Sequence, residues 1–293
     1  MATTHTLARP RRWPLRLRWG SLRWSVFVYA CALVLGFACG FPLLWMASMA
    51  FKPPPEVLAW PPHLLPQEPT LVNFVRLFEE SHFLIYLQNS LICTFAATAI
   101  AIAIATVGAY SLTRYRYAGR DKFATFILLA YMFPPIVLIV PFFVWMKTLG
   151  LVDSYLSLIL SYVALALPFA IWLLRAFFQS IPLDIEEAAW MDGADRLRAI
   201  IYVILPLSLP GVIATSIFTF IVSWNDYLFA LVLMTEEEMR TLPVGLGDLL
   251  NRAFIDWGVI MAAAMLITLP ALAFFILTQN FLIRGWGAGA VKE

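Results

Sequence analysis

The sequence predicts an all-α membrane protein with six transmembrane helices, and three observations support this fold class. Hydrophobic residues make up 62% of the 293 positions and charged residues only 13%, and the mean hydropathy is +0.82. Soluble domains carry about 45–50% apolar and about 25% charged residues, so a soluble fold of this length could not cover so much apolar surface. The apolar residues also form long runs without the period-two alternation of a membrane β-barrel.

Six apolar runs are long enough for a helix to cross the hydrocarbon core, which takes about 20 residues. They cover residues 25–50, 86–112, 123–146, 154–175, 209–234 and 257–282. The first run follows a basic tail, residues 1–24, and exceeds the roughly 7–15-residue core of a signal peptide, so we expect a retained anchor. Several prolines inside the runs can kink a helix and permit rocking, or serve static packing: Pro134, Pro135, Pro141, Pro168 and Pro270.

The basic residues predict the orientation of the chain. Most of the lysines and arginines lie in the tail 1–24, in the connections after the second and fourth runs, and in the tail 283–293. The outer loops 52–85 and 235–256 hold few of them. The positive-inside rule therefore places both termini in the cytoplasm and the multi-pass chain in a cytoplasmic (inner) membrane. The net charge of +2 indicates no nucleic acid binding, and the basic tail is expected to contact anionic membrane lipid.

The outer loop 52–85 is rich in proline, which favours extended or turning backbone. Residues 71–80 have an amphipathic pattern, and we expect a short helix there that lies along the membrane surface. The loop is either a compact cap without chemistry of its own or a docking rim for an external partner, and its residues leave both roles open.

The connection 176–208 is charged and helix-prone, although it lies between two apolar runs. Pro182 suits the opening turn of a helix, because the first turn tolerates a missing N–H. Three acidic residues follow it in that turn, where they favour the helix dipole: Asp184, Glu186 and Glu187. The connection therefore begins with a helix on the predicted cytoplasmic side.

The rest of this connection predicts a bend and a second helix. Ala188 and Ala189 have little bulk, so another surface can approach them closely. Gly193 can take the positive φ that ends a helix, and Asp195 opens the next one. The result is a helix–bend–helix, which is either an ordinary amphipathic connector or a rigid lever that a partner contacts.

The chain offers no catalytic constellation. It has neither a Gly-x-x-x-x-Gly-Lys-[Ser/Thr] loop nor any Gly-Lys pair, so it lacks the phosphate cradle of an ATPase. Its three histidines are scattered over the tail and the outer loop, and its three cysteines fall inside apolar runs as packing residues. We therefore expect a protein that is not an enzyme, has no catalytic residues, and itself binds no cofactor and no metal.

Residues 180–211 resemble the EAA loop of the membrane subunits of ABC importers. The matching positions keep the spacing of that loop and lie between the fourth and fifth spans: Glu187, Ala188, Ala189, Asp192, Gly193, Leu205 and Pro206. A Glu-Ala-Ala triplet alone is a weak signal, whereas the conjunction of the triplet, the glycine and the Leu-Pro pair is specific. Val203 stands where the pattern prefers Ile, which is a conservative departure.

From about residue 42 to 292, the chain is similar to the inner-membrane permeases of carbohydrate-type ABC importers, the MalG-like family. Further family motifs are found at residues 89–91, 223–227, 242–246, 256–258 and 285–292. The chain differs from the family pattern at two positions: Asp226 stands where the family often has Glu, and Trp286 interrupts the tail motif. The resemblance implies the type I ABC importer permease fold in a bacterial or archaeal inner membrane, with cytoplasmic coupling helices between helices 4 and 5.

The resemblance also implies partners and a substrate. These are a second homologous permease subunit, a cytoplasmic ATPase dimer that binds the ATP and Mg, and an extracytoplasmic solute-binding protein that delivers a mono-, di- or oligosaccharide. The EAA positions would then contact the ATPase. On the same analogy Gly245, Leu246 and Asp256 face the binding protein, and Gly289 and Lys292 in the tail reach towards the ATPase.

Trp224, Asn225 and Asp226 have two interpretations. An acidic residue inside a span usually faces a cavity or a partner, so the three residues would line the translocation path or its gate. Alternatively, Asp226 bonds to polar groups of neighbouring helices, and this structural or gating role is the one we favour. Two other functions stay open: an ABC permease for a non-sugar solute such as a glycerol phosphodiester, and an ion-coupled secondary transporter, although the sequence shows neither repeats nor several intramembrane charges.

Overall fold

The computed structural model describes residues 19–289, with side chains for residues 24–279, and all its regular elements in that range are helical. The chain divides into two compact units, residues 1–45 and 46–293. The predicted basic tail therefore lies largely outside the described residues, and Lys292 lies wholly outside them. In the first unit, the described part is one helix whose side chains are mostly exposed.

The helices follow one another with short connections. In chain order they are α1 (Trp19–Ala50), α2 (Pro54–Val57), α3 (Val72–Glu80), α4 (Phe83–Arg114), α5 (Arg120–Tyr131), α6 (Pro135–Thr148), α7 (Tyr155–Gln179), α8 (Leu183–Met191), α9 (Arg196–Ala199), α10 (Leu205–Leu207), α11 (Leu209–Trp224), α12 (Leu228–Leu233), α13 (Leu242–Leu250) and α14 (Trp257–Gly289). A π-helical turn (Ile200–Ile204) joins α9 to α10, and a 3₁₀ turn (Glu237–Met239) precedes α13.

Four helices are long and apolar enough to span a membrane: Trp24–Ala50, Phe83–Arg114, Tyr155–Gln179 and Trp257–Gln279. Two pairs of shorter helices bring the number to six if each pair is one bent span. The predicted all-α fold with up to six spans is therefore confirmed for the described part of the chain. The last helix also runs past the predicted end of its span, residue 282, to Gly289.

The third predicted span, residues 123–146, is not one straight helix. It consists of α5 and α6, whose axes meet at 95°. Pro134 and Pro135 stand at this corner, and Pro134 has an extended ψ of 124°. Neither proline has an N–H for a helical hydrogen bond, and a residue before proline avoids helical backbone, so α5 cannot continue through them. Pro141, Pro168 and Pro270, in contrast, lie inside continuous helices.

The fifth predicted span, residues 209–234, is broken as well. Its helix α11 ends at Trp224, and residues 225–227 separate it from α12. At its other end, the segment Arg196–Leu207 turns by 82° into α11. Hydropathy alone did not reveal either break, because apolar side chains continue on both sides of each one.

A stripe of small residues allows α4 and α7 to pack closely. Four alanines at four-residue intervals on α4 are fully buried: Ala97, Ala101, Ala105 and Ala109. Ala166 and Ala170 on α7 are also fully buried. Gly108 adds to this contact, since a Cβ built there would lie 3.3 Å from Ile171 Cδ1. Between membrane helices, such residues let the backbones approach so that van der Waals contacts hold them together.

Three apolar clusters form the core of the second unit. The first joins α4, α6, α7 and α12 around Met146, Tyr162 and Phe229. The second joins the other ends of α4 and α7 to the π-helical turn, around Tyr110, Phe178 and Ile204. The third joins α3, α11, α13 and α14, around Leu77, Phe220 and Trp224.

The predicted helix at residues 71–80 is confirmed as α3. Its Leu77 is fully buried, and its Asn73 amide donates to the carbonyls of Ala50 (2.9 Å) and Lys52 (2.8 Å). Asn73 packs against Gly258 of α14, where a Cβ would lie 2.6 Å from its Oδ1. The helix is therefore fixed to the protein by a buried amide as well as by its apolar face.

We expect Ala101→Leu to destabilise the protein by about 1–3 kcal/mol, because the added atoms overpack the contact between α4 and α7. The measurement is resistance to unfolding in sodium dodecyl sulfate after purification in mild detergent. Ile100→Leu is the control, since Ile100 is 43% exposed on the same helix. Equal resistance of the two variants would contradict the close contact at the alanine stripe.

Candidate functional site

The connection 176–208 forms a pair of short helices, α8 and α9, as its sequence predicts. The backbone of Gly193 has φ +86°, so the predicted left-handed conformation at the end of α8 is confirmed. The N–H of Gly193 donates to the Trp190 carbonyl (3.0 Å) and the N–H of Ala194 donates to the Ala189 carbonyl (3.0 Å). These two bonds form a Schellman motif, which satisfies carbonyls that the helix end leaves free.

The turn after Gly193 is fixed from its other side. The carboxylate of Asp195 accepts a hydrogen bond from the Arg198 N–H (2.7 Å) and so caps α9. The Arg196 guanidinium lies over two aromatic rings, 4.8 Å from the centre of Tyr115 and 5.5 Å from that of Trp190. Since Tyr115 directly follows α4, this stack ties the helix pair to the end of that helix.

Glu186 anchors α8 to α4 through a buried ion pair. Its side chain is fully buried, and its Oε2 lies 2.7 Å from Arg114 Nε. The Tyr110 hydroxyl donates to Oε1 of the same carboxylate. Arg114 also donates through Nη2 to the Ile181 carbonyl just before α8 (3.0 Å). The ion pair and the two charge-assisted hydrogen bonds, from Tyr110 to Glu186 and from Arg114 to Ile181, fix the orientation of both charged partners.

This anchor was not predicted, because the sequence around Glu186 indicates only a favourable interaction of its charge with the helix dipole. One signal could have found it. Arg114 ends the second apolar run on the same predicted side of the membrane as α8, so it was an available partner for one of the two adjacent glutamates.

The opposite face of α8 is open. The side chains of Glu187, Ala188 and Met191 are exposed, and the exposed fraction of Met191 is 88%. Asp192 and Gly193 are exposed at the turn, whereas Ala189 is half-buried. Four of the predicted positions therefore share one small exposed surface: Glu187, Ala188, Asp192 and Gly193. Its edge is acidic, and its small residues lie beside the exposed side chain of Met191.

Leu205 and Pro206 do not belong to this surface. They open α10, after the π-helical turn, where Leu205 is half-buried and Pro206 is exposed. Between this turn and α11, Ser208 donates through Oγ to the Ile204 carbonyl (2.7 Å). The Leu-Pro pair therefore precedes the bend that leads from the helix pair into the fifth span.

Trp224 and Asn225 face different surroundings at the end of α11. Trp224 is 2% exposed and stacks on Phe220 with the ring centres 5.5 Å apart. Asn225 is exposed, and its amide donates back to the Ile221 carbonyl (2.9 Å). Trp224 thus packs in the core of this chain, whereas Asn225 has a free surface.

Asp226 is half-buried at the break in the fifth span. Its carboxylate accepts hydrogen bonds from the N–H groups of Ala230 (3.0 Å) and Phe229 (3.4 Å), in the first turn of α12. It also interacts with the hydroxyl of Tyr162 on α7, which is buried. These contacts give Asp226 a structural use, because a carboxylate at a helix N-terminus satisfies N–H groups that lack helical partners.

Asn89 fixes the outer loop that precedes α13. Its amide nitrogen donates to the carbonyls of Glu238 (2.8 Å) and Arg240 (2.9 Å). Its carbonyl oxygen accepts from the Tyr155 hydroxyl at the start of α7 (2.8 Å). The side chain of one residue on α4 thereby joins α7 and the 3₁₀ turn, although it was recognised in the sequence only as part of a motif.

The neighbouring Ser90 accepts a hydrogen bond through Oγ from the Leu242 N–H, at the start of α13 (2.8 Å). Gly245 on α13 is buried against α4, since a Cβ there would lie 2.2 Å from a ring carbon of Tyr86. Leu246 is half-buried and packs in the third apolar cluster. Within this chain, Gly245 therefore serves a close contact between helices.

Asp256 begins α14 and joins it to α3. Its Oδ1 accepts from the Val259 N–H (3.2 Å), and its Oδ2 pairs with Arg76. Arg76 also pairs with Glu80 (2.9 Å), and these two acidic partners raise the pKa of Arg76. Asp256 is half-buried in this network rather than fully presented to solvent.

Asp153 holds the turn before α7 to the end of α12. It accepts from the N–H of Glu236 (2.9 Å) and from the hydroxyl of Thr235 (2.6 Å), as well as from the Thr235 N–H. Burial alone would raise the pKa of Asp153, but these hydrogen bonds from Thr235 and Glu236 outweigh it and lower the pKa. The carboxylate is therefore held in its charged form.

Among the side chains described, no group of three or more His, Cys, Asp or Glu residues is placed to hold a metal ion. Gly289 is the last residue of α14, in a region where only the backbone is described. The predicted contact of the tail with an ATPase thus stays a prediction, as does the role of each predicted site residue.

Comparisons with known proteins give consistent matches over most of the chain. Residues 101–282 match a family described as binding-protein-dependent transport system inner membrane component. The trehalose/maltose transport system permease protein MalG of Thermococcus litoralis is 36% identical over 264 residues, which cover 89% of this chain and 94% of that protein. The diacetylchitobiose uptake system permease protein DasC of Streptomyces coelicolor is 36% identical over 272 residues, covering 93% and 99% respectively.

A solved structure is also similar. It is the crystal structure of a bacterial ABC transporter involved in the import of the acidic polysaccharide alginate. Its matching chain has a TM-score of 0.76 and 26% sequence identity, and the alignment covers 89% of this chain and 97% of that one.

We expect Glu186→Ala to destabilise the protein by about 3–5 kcal/mol, because it leaves the Arg114 charge buried without a partner. Glu187→Ala on the exposed face is the matched control, with an expected change within about 0.5 kcal/mol. Unfolding in sodium dodecyl sulfate measures both. If the two variants unfold alike, Glu186 is not the anchor of α8.

The lowered pKa of Asp153 predicts a stability that depends on pH. An unfolded aspartate has the ordinary pKa of 3.8, so the ionised, hydrogen-bonded carboxylate contributes stability above that pH. This contribution is lost as the pH falls from that value through the lowered pKa. We expect Asp153→Asn to remove this part of the pH dependence, and acid titration of the unfolding transition in both proteins measures it. An identical pH dependence would contradict the assignment.

Proposed function

This chain belongs to the family of inner membrane components of binding-protein-dependent transport systems, and from that premise we propose that it forms, with a second permease, the path for a sugar. It is a multi-pass inner membrane protein with the fold of ABC importer permeases, as its sequence predicts. It is a transport subunit and not an enzyme. The substrate class and the individual contacts with its partners are our proposal.

Sugar as the substrate class is supported by the relatives. The two similar permeases are named for trehalose/maltose and for diacetylchitobiose, and the similar structure is that of a transporter involved in alginate import. The alignments run over nearly the whole of those chains, so the similarity is not restricted to α8 and α9, the helix pair proposed to contact the ATPase. A permease for a non-sugar solute, such as a glycerol phosphodiester, is the second candidate within the same fold.

The geometry of α8 is the observation that supports coupling to an ATPase best. Its inner face is fixed to α4 by the Glu186–Arg114 ion pair, and its end is fixed by the turn at Gly193. Its outer face leaves Glu187, Ala188 and Met191 exposed. A surface that is open to a partner and rigidly connected to a transmembrane helix can transmit a push to that helix.

In the proposed assembly, α8 and both termini of the chain lie on the cytoplasmic side of the membrane. There α8 contacts one subunit of an ATPase dimer that binds the ATP and Mg. A solute-binding protein docks on the opposite side, near the outer loops 52–85 and 235–256. ATP-driven closure of the dimer moves α8, and α4 carries this displacement across the membrane. This chain itself catalyses no reaction. It supplies the contact with the ATPase at α8, the connection through α4 and one wall of the translocation path.

We assign Asp226 to the structure of the path and its gate. The carboxylate holds the first turn of α12 and contacts Tyr162 on α7, so it stabilises the break in the fifth span. Non-helical backbone is tolerated at membrane depth only where it is buried in protein or lines a cavity. Asn225, which is exposed at this break, is the better candidate for contact with solute.

The proposal is tested by Gly193→Pro, with Gly150→Pro as the matched control. Both glycines are exposed, have positive φ (+86° and +67°) and donate one hydrogen bond through their N–H, so proline perturbs both backbones alike. We expect both variants to be inserted in the membrane. Only Gly193→Pro should lose the co-purified ATPase and at least about tenfold of ATP-dependent sugar uptake, since a loss of about 1.4 kcal/mol in coupling is sufficient for that.

Three results would contradict the proposal in whole or in part. Retention of the ATPase by Gly193→Pro, with normal uptake, would remove α8 from the coupling contact. Purification of the unaltered chain as a stoichiometric homo-oligomer without an ATPase would favour an ion-coupled secondary transporter. Uptake of a glycerol phosphodiester instead of a sugar would keep the mechanism and change the substrate class.

A further inference from the structure

A groove runs between α4, α5 and α7 in the second unit. Its volume is about 620 Å³, and its walls are mainly aliphatic and aromatic, with Ile104, Val107, Phe123, Ile127 and Ile171 among them. Val107 and Phe123 are 63% and 53% exposed. The groove is mainly apolar, so a hydrocarbon chain fits its chemistry better than a polar ligand does.

A basic cleft adjoins this groove. It has a volume of about 380 Å³ and lies in the connection between α4 and α5, where it is lined by Arg116, Tyr117, Arg120, Asp121 and Lys122, with Gly119. Tyr117 lines both the groove and the cleft, so the two adjoin at this residue.

The charges in the cleft do not cancel. Asp121 pairs with Arg120 (3.2 Å) and with Arg175 of α7 (3.4 Å), so two arginines surround the one acidic side chain. Arg116 and Lys122 have no acidic partner among the described side chains. Arg114, at the end of α4, is already paired with Glu186. The cleft therefore keeps a surplus of positive charge that an anion would neutralise.

From this juxtaposition we propose that groove and cleft together form a binding site for an anionic phospholipid. One acyl chain lies in the groove along α4 and α5, and the phosphate contacts Arg116 and Lys122. Tyr117 stands at the boundary between them, where amphipathic aromatic rings are favoured. Basic residues beside a span attract anionic lipid, and the predicted orientation places this cleft at the cytoplasmic leaflet.

A transmembrane helix of another subunit fits this site less well. Such a helix would fill the apolar groove but would leave Arg116 and Lys122 without a counter-charge, unless it also ended in acidic residues. A phospholipid supplies the apolar chain for the groove and the negative charge for the cleft in one molecule.

The test uses the purified, detergent-solubilised transporter that contains this chain. Native mass spectrometry measures the binding of phosphatidylglycerol and of phosphatidylcholine with identical acyl chains. Each basic residue contributes about fivefold to the affinity for anionic lipid, so Arg116→Gln with Lys122→Gln should weaken phosphatidylglycerol binding about thirtyfold. Phosphatidylcholine binding should change much less, because its choline cation already opposes its phosphate and is repelled by the basic cleft. Lys147→Gln with Arg252→Gln, which removes two basic residues elsewhere, should leave both lipids unaffected.

A second variant tests the groove. Val107→Trp fills it, so both phospholipids should bind at least about tenfold more weakly, since two or more buried methylene groups would be lost. Unchanged phosphatidylglycerol binding in either variant would overturn the proposal. So would tight binding of inorganic phosphate that Val107→Trp does not affect, because the cleft would then be an anion site without a lipid. Loss of a co-purified second permease in Val107→Trp, with phosphatidylglycerol binding unchanged, would instead assign the groove to a protein helix.

Discussion

The buried ion pair between Glu186 and Arg114 determines how α8 relates to the rest of the protein. Taking both charges out of water is costly, so the pair is stable only because each partner has further hydrogen bonds. The Tyr110 hydroxyl and the Ile181 carbonyl provide them. The energetic consequence is asymmetric: the intact pair adds little net stability, but any motion that separated its members would be strongly opposed. The helix α8 therefore moves together with the end of α4, and its exposed face is presented in one orientation.

In the rest of the second unit, the fold depends on small residues at the contacts between helices. Water does not drive helices together inside a membrane, so packing and hydrogen bonds must hold them. The alanine stripe of α4 permits the contact with α7, Gly245 admits Tyr86, and Gly258 admits Asn73. Hydrogen bonds add to this packing. The amide side chains of Asn73 and Asn89 are buried because they donate to backbone carbonyls of the neighbouring loops, which would otherwise lack partners.

The sequence predicted the number of spans and the turn at Gly193, because both follow from local properties. Hydropathy measures the length of an apolar run, and only glycine readily takes a φ of +86°. It did not predict the corner between α5 and α6, since Pro141, Pro168 and Pro270 also lie in the runs but do not end a helix. Nor did it separate Glu186 from Glu187. These neighbours have the same charge and the same helix propensity, and which one is buried depends on the rotation of α8 against α4, which is distant in sequence.

The helix α4 continues without a break for 32 residues, about 48 Å at about 1.5 Å per residue. Near one end, Asn89 binds the loop before α13, and at the other end Arg114 binds α8. Both contacts therefore depend on the position of the same continuous helix, α4. Free energy is a function of state, so any molecule that favours one position of α4 through the first contact changes affinity at the second contact by a definite factor. Binding at the second contact must change affinity at the first by the same factor, so control by this helix operates in both directions.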